Sequence, residues 1–296
     1  MRGGCNRAMM HAMEAIMTYK TITAVLSAAA DAERVTEHAI ALARRFDAHL
    51  VGIHAEMPVI VTVAAPMEFP DPNLITEMQE RARRESKAIE HLFRERCERD
   101  GLSHEWRLFT GSAGYAAASV IDSARSSDLV VAAQIDPEHA PSARADIEDL
   151  LYESGRPIYL VSSAVAGPEA VTRVLVAWNG SREAARAAFD ALPFMTAGAA
   201  VEVFSVDPED SRVQSAELCG AELSATLARH GLNVTATSAK SAGKPVAEVI
   251  NRRASETGAQ LIVMGAFSHS WLRQRLFGGV TSAMLGGLRV PALMSR

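Results

Sequence analysis

The chain has 296 residues, 48% of them apolar and 22% charged, and its 30 Lys and Arg against 35 Asp and Glu give a net charge of −5. Such a length and composition suit two domains with cores of ordinary density. A slightly acidic chain with no long run of one sign argues against a dedicated nucleic-acid binder, and no apolar run approaches the ~20 residues that a membrane-spanning helix needs.

Residues 1–18 contain Arg2 and Arg7 but no continuous apolar stretch, so they make a poor secretory signal. They are expected to form a weakly ordered extension, a short amphipathic helix docked on a partner being the alternative. Cys5, Cys97 and Cys219 form no C-x-x-C pair, which points to a reducing, cytoplasmic compartment rather than a disulfide framework.

From there, short apolar runs alternate with longer helical patterns, which predicts βαβ units and a parallel sheet. Strands are expected at 21–26, 49–54, 103–109, 128–133 and 157–161. Helices are expected at 32–46, 74–99, 115–124 and 145–153, the first with Val35, Ala39, Ala43 and Phe46 on one face. A proline-rich apolar segment, 59–71, precedes the long charged helix. The order then repeats, with strands at 173–178, 201–206, 233–237, 260–265 and 291–294 and helices at 182–192, 211–230, 245–256 and 281–287.

The fold class that follows is α/β, two tandem open five-stranded parallel sheets with helices on both faces. The expected boundaries are an extension at 1–18, a first domain at 19–163, a linker at 164–171 rich in small residues, and a second domain at 172–296. Sheets of this kind bind ligands at the carboxyl ends of their strands, where the strand order reverses.

The informative stretch is 263–296. A buried strand ends at Gly265, a polar loop containing Ser268, His269, Arg273 and Arg275 follows, and Gly278 and Gly279 precede a helix that begins near Val280 or Thr281. Glycines ahead of a helix N-terminus let the backbone approach a ligand, and the free amides and the dipole there favour an anion such as phosphate. Ordinary turn and packing glycines are the competing reading. G-x-S-x-G, G-x-x-x-x-G-K-[ST] and G-x-G-x-x-G after an opening strand are all absent, which leaves no support for a hydrolase elbow, a P-loop or a dinucleotide fingerprint. The nine histidines do not cluster at ligand spacing, so no metal site is expected.

On these residues the sequence resembles the universal stress protein family, whose nucleotide-binding members carry G-x2-G-x9-G-[ST] between a buried strand and a helix. Gly265 and Gly278 match two of the glycines. Ser268 stands in place of the second glycine and Gly279 in place of the Ser/Thr, with Val280 and Thr281 continuing the family-like run. The stretches 173–192, 244–267 and 290–296 are also similar to the family's opening strand and helix, its fourth strand and its last strand, and that last strand commonly pairs across a dimer. The resemblance implies that Asn179, in place of the family's aspartate, and Val206 face a nucleoside; Trp178, at the strand end beside them, is equally suited to stacking on the base and to filling the core. It implies that Gly265, Ser268, Gly278, Gly279, Val280 and Thr281 hold phosphate and ribose; His269, in the same loop, is placed either to touch phosphate or to stand in solvent.

The first half departs further, for no glycine occurs from 115 to 154 and Asp136, Glu138, Asp146, Glu148 and Asp149 make its corresponding region acidic. It is expected to bind no nucleotide and to serve as a built-in dimer partner. The functional expectation is a stress-response protein that binds or senses ATP or another adenine nucleotide, with or without Mg, and performs no fast chemistry. The alternatives are a protein-interaction module of the same fold that binds no nucleotide and, less favoured, a weak ATPase. Expected partners are the two halves for each other and a second copy as a homodimer, with neither nucleic acid nor membrane.

Overall fold

A computed structural model describes residues 18–56, 71–111, 113–135, 147–196, 198–208, 218, 220–267 and 279–296. The extension, the proline-rich segment, the acidic segment 136–146 and most of the 265–281 loop lie outside them.

The described strands are β1 (Thr21–Val25), β2 (His49–Ala55), β3 (His104–Phe109), β4 (Leu129–Ala133), β5 (Ile158–Val161), β6 (Arg173–Ala177), β7 (Ala200–Val206), β8 (Asn233–Ala239), β9 (Leu261–Gly265) and β10 (Ala292–Ser295). The helices are α1 (Ala29–Phe46), α2 (Pro72–Arg99), α3 (Ala113–Arg125), α4 (Ile147–Glu153), α5 (Arg182–Asp190), α6 (Ala221–Arg229), α7 (Val246–Thr257) and α8 (Val280–Leu285). All the expected strands are present within about two residues at either end. For the helix expected at 211–230, the described residues show its last part, α6, while 211–217 and 219 lie outside them.

Local chemistry explains the principal helices. In α1, Ala32, Val35, Ala39, Ala43 and Phe46 recur at helical spacing and are buried, and the helix stops where Asp47 turns left-handed at φ 51°. In α2, the Asp71 side chain accepts from the Asn73 N–H and Pro72 takes the first turn, a standard start. Only Ser86, Ile89, Phe93 and Cys97 of α2 are buried, so its first half extends beyond the core as a solvated, charged rod. Ion pairs such as Arg84–Glu80 and Arg94–Glu90 lie along it. Gly52 of β2 is held to its size, because a Cβ there would lie 2.7 Å from Trp106 and 2.8 Å from Phe93.

The two expected sheets share an edge. The strand order is β3-β2-β1-β4-β5-β10-β9-β6-β7-β8 in one ten-stranded sheet. Each set of five strands is parallel within itself, and the sets meet where β10 runs antiparallel to β5, with Leu293 opposite Tyr159. One face buries a core under α1, α2, α5 and α6, and the other buries a core under α3, α4, α7 and α8. Both cores contain residues from both halves.

Aromatic side chains lock the seam on the first face. Phe194 of the second half stacks on Tyr159 at 5.5 Å and 4° and meets Phe46 edge-on at 5.5 Å and Tyr19 at 5.7 Å. The Tyr19 hydroxyl donates to the Asp190 carbonyl, and the Arg45 guanidinium donates to the Phe194 carbonyl at 2.7 Å while lying over the Phe46 and Phe194 rings. On the opposite face the Ser162 hydroxyl donates to the Leu288 carbonyl at 2.7 Å, and the Ile135 N–H donates to the Leu285 carbonyl at 2.9 Å.

Candidate functional site

Strand order reverses twice, between β1 and β4 and between β6 and β9. These are the crevices that an open α/β sheet offers to ligands.

At the second-half crevice, β6 runs into Trp178, whose N–H donates to the Phe204 carbonyl at 2.8 Å. The Trp178 ring is half-buried against the first-face core, whereas Val206 is half-buried against the core of the other face. The two residues therefore lie on opposite faces of the sheet rather than sharing one wall. Asn179 is exposed, and its Oδ1 accepts from the Ser181 N–H at 3.1 Å across Gly180, which has φ 72°. Ser181 then caps α5, its hydroxyl oxygen accepting from the Ala184 N–H at 3.1 Å.

Gly265 lies beneath that cap. A Cβ on it would come within 2.4 Å of the Ala184 nitrogen and 2.5 Å of the Glu183 carbonyl carbon, so α5 can approach β9 only because the residue is glycine. The chain continues through Phe267, which is buried with φ 56°. Residues 268–278, including Ser268, His269 and Gly278, lie outside the described residues.

Gly279 resumes in extended conformation at φ −130° and ψ 172° and caps α8 without a side chain. Thr281 is buried, and its Oγ1 accepts from the Phe267 N–H at 3.1 Å, which ties the start of α8 to the end of β9. Val280 is half-buried. The geometry thus brings Gly265, Gly279, Val280 and Thr281 together at the crevice, with Asn179 on the turn opposite. One acidic neighbour enters from the first half, where Glu148 accepts from the Ser282 hydroxyl at 2.8 Å.

The first-half crevice is furnished differently. The N-terminus of α1 has no side-chain cap from its own N-cap residue, Ala28, but the Ala29 N–H donates to the Glu85 carboxylate of α2 at 3.2 Å. His54 is buried at the strand end, with Nδ1 2.6 Å from the Leu26 carbonyl oxygen and Nε2 3.1 Å from the Ser86 hydroxyl. A protein carboxylate and an imidazole thus furnish this crevice, whereas in the other half the corresponding helix start is capped by Ser181 and the strand carries the buried Ser205. The acidic segment 136–146 lies outside the described residues.

The sequence reading missed a group of arginines. Arg182 and Arg186 of α5 and Arg296 after β10 line a cavity of about 490 Å³ together with Tyr152, Glu153 and Gly155 of the first half. Arg182 pairs with Glu183 at 2.6 Å, and the Glu183 side chain is only 5% exposed. Burial pushes the Glu183 carboxyl up, but the Arg182 hydrogen bond, its own backbone N–H, the Arg182 charge and Ser181 outweigh burial and hold it below the ordinary carboxylate value. The one signal available in the sequence was the spacing of Arg182 and Arg186, four apart and so on one helix face. Among the described residues, no three His, Cys, Asp or Glu side chains gather to hold a metal, and no helix is long and apolar enough to cross a membrane.

Fold and crevice together define an open, doubly wound α/β protein built from two like halves. Residues 170–296 match the family model described as the Universal stress protein family, so the second half carries a domain of that family. No curated protein matches the chain. Among solved structures, a universal stress protein from Archaeoglobus fulgidus DSM 4304 is similar over 93% of this chain and 96% of its own, with TM-score 0.65 and 16% identity. A Pseudomonas aeruginosa UCBPP-PA14 protein provisionally placed in the same family is similar over 94% and 93%, with TM-score 0.54 and 15% identity. At these identities the likeness establishes the two-half fold and nothing finer.

Proposed function

We propose that the whole chain is a tandem universal stress protein of the cytoplasm that binds one adenine nucleotide, ATP or a relative with or without Mg, in its second half and performs no fast chemistry. The domains are 19–163 and 172–296, and the first serves the second as a built-in dimer partner. The observation that carries this reading is the N-terminus of α8. It lies at the strand-order reversal, no side chain caps it among the described residues, and the bond from the Phe267 N–H to Thr281 fixes it against β9. Free first-turn amides in that position suit a phosphate. Ser268, His269 and Gly278 complete the phosphate loop in this reading, and Trp178, Asn179 and Val206 take the nucleoside. The first half is read as binding no nucleotide, because it has no glycine from 115 to 154 and carries Asp136, Glu138, Asp146, Glu148 and Asp149 in the corresponding stretch.

Gly279→Asp tests the site. Gly279 has an extended backbone that any residue adopts, and an aspartate there would cap α8 with its own carboxylate, which leaves the fold intact and fills the phosphate position. Calorimetric titration with ATP and Mg is expected to give heat with the wild type and none with the variant. Equal heat from both proteins would place the nucleotide elsewhere.

The second reading, an interaction module that binds no nucleotide, draws on the Glu148 carboxylate at the first turn of α8. Absence of heat from the wild type would favour it.

A further inference from the structure

We propose that the cavity between the halves is a subsite for the terminal phosphates of the nucleotide, gripped by Arg182, Arg186 and Arg296. The proposal rests on the adenine-nucleotide reading and adds to it a preference for ATP and ADP over AMP.

The cavity adjoins the candidate loop. Ser295 pairs with Gly265 across β10 and β9, so Arg296 follows directly beside the point where β9 gives way to the loop. On the far wall, the Tyr152 ring lies 6.2 Å from that of Phe267. A phosphate chain leaving the crevice on the β10 side enters this space, which at about 490 Å³ accommodates more than one phosphoryl group.

The arginines are held in a way that leaves their recognition edges available. Arg182 donates through Nε to Glu183 Oε1 at 2.6 Å, and Arg186 donates through Nε to both oxygens of Asp190 at 3.0 and 2.8 Å. Their terminal nitrogens have no protein partner among the described residues. A guanidinium anchored at Nε still offers its outer N–H groups for bidentate contact with phosphate oxygens. The Arg296 guanidinium carbon lies over the Tyr152 ring, 3.3 Å from its centroid, and Nη1 donates to the Tyr152 carbonyl at 3.2 Å, which orients the group without neutralising it. Its Nε is buried and unpartnered among the described residues. The carboxylate lining the cavity, Glu153, lies 3.9 Å from Arg125 and so is partly engaged elsewhere.

The test is the affinity of ATP, ADP and AMP for the wild type, for Arg186→Gln and for the double variant Arg186→Gln/Arg296→Gln. Arg182 is left in place because it covers the buried Glu183. ATP and ADP are expected to bind the wild type more tightly than AMP. Each substitution is expected to weaken ATP and ADP by roughly tenfold, the scale of one charge-assisted bond. AMP affinity is expected to stay unchanged, which also certifies that the variants are folded. AMP binding as tightly as ATP, or all three nucleotides responding alike to the substitutions, would overturn the subsite and leave the nucleotide reading standing. A wild type that binds none of the three would overturn both.

Discussion

At the residue scale, Gly265 shows how a motif position can carry two duties. The sequence reading gave it to the phosphates, and the structure shows that it also admits α5 to β9. A Cβ there would meet the Ala184 nitrogen at 2.4 Å, and backbone atoms cannot turn aside as a side-chain tip can. Gly265→Ala is therefore expected to cost at least the ~1–3 kcal/mol of an overpacked core. A fall in the denaturant midpoint checks this, and an unchanged midpoint would show that the helix yields. His38 makes a second prediction. It is 1% exposed beneath the seam, with Nδ1 3.3 Å from the Tyr159 hydroxyl. Burial first, and the Arg34 charge second, lower its pKa from 6.5 to about 4. The folded protein keeps the ring neutral while the unfolded chain protonates it. The contribution is thus complete above pH 6.5 and is lost as pH falls toward 4, a change on the order of 3 kcal/mol. Unfolding free energies of wild type and His38→Leu between pH 4 and 7 should show a flatter pH slope in the variant.

Elements were the most legible level of the sequence. Runs such as 129–133 and 261–264 are short and continuously apolar, as buried parallel strands are, and the proposed face of α1 is the face that is buried. What periodicity could not show was how distant elements meet. The register of β10 on β5 depends on residues more than a hundred positions apart. So does the approach of Arg296 to Arg182 and Arg186, which the spacing of the two helix residues alone did not reveal. The resemblance suggested a strand that pairs across a dimer, and here the last strand pairs within the chain. Phe194, just beyond α5, is the keystone of that seam. Phe194→Ala is expected to cost ~3–5 kcal/mol. Because the two cores each run through both halves, it should lower a single calorimetric transition as a whole. Two resolved transitions in the wild type would contradict one continuous sheet acting as one cooperative unit.

For the whole molecule, the duplicated fold is symmetric in strand order and asymmetric in chemistry. The two crevices are related by the repeat, yet Glu85 and His54 furnish one, while Gly265, Gly279 and the start of α8 frame the other. That difference was half legible, in the missing glycines and added acids of the first half, and half hidden, because Glu85 lies on a helix whose packing the sequence does not announce. The most direct test is the number of nucleotides bound per chain, measured by titration at protein concentrations well above the dissociation constant. The account predicts one ATP per 296-residue chain. Two would show that the first half binds as well, and none would remove the nucleotide from the molecule altogether.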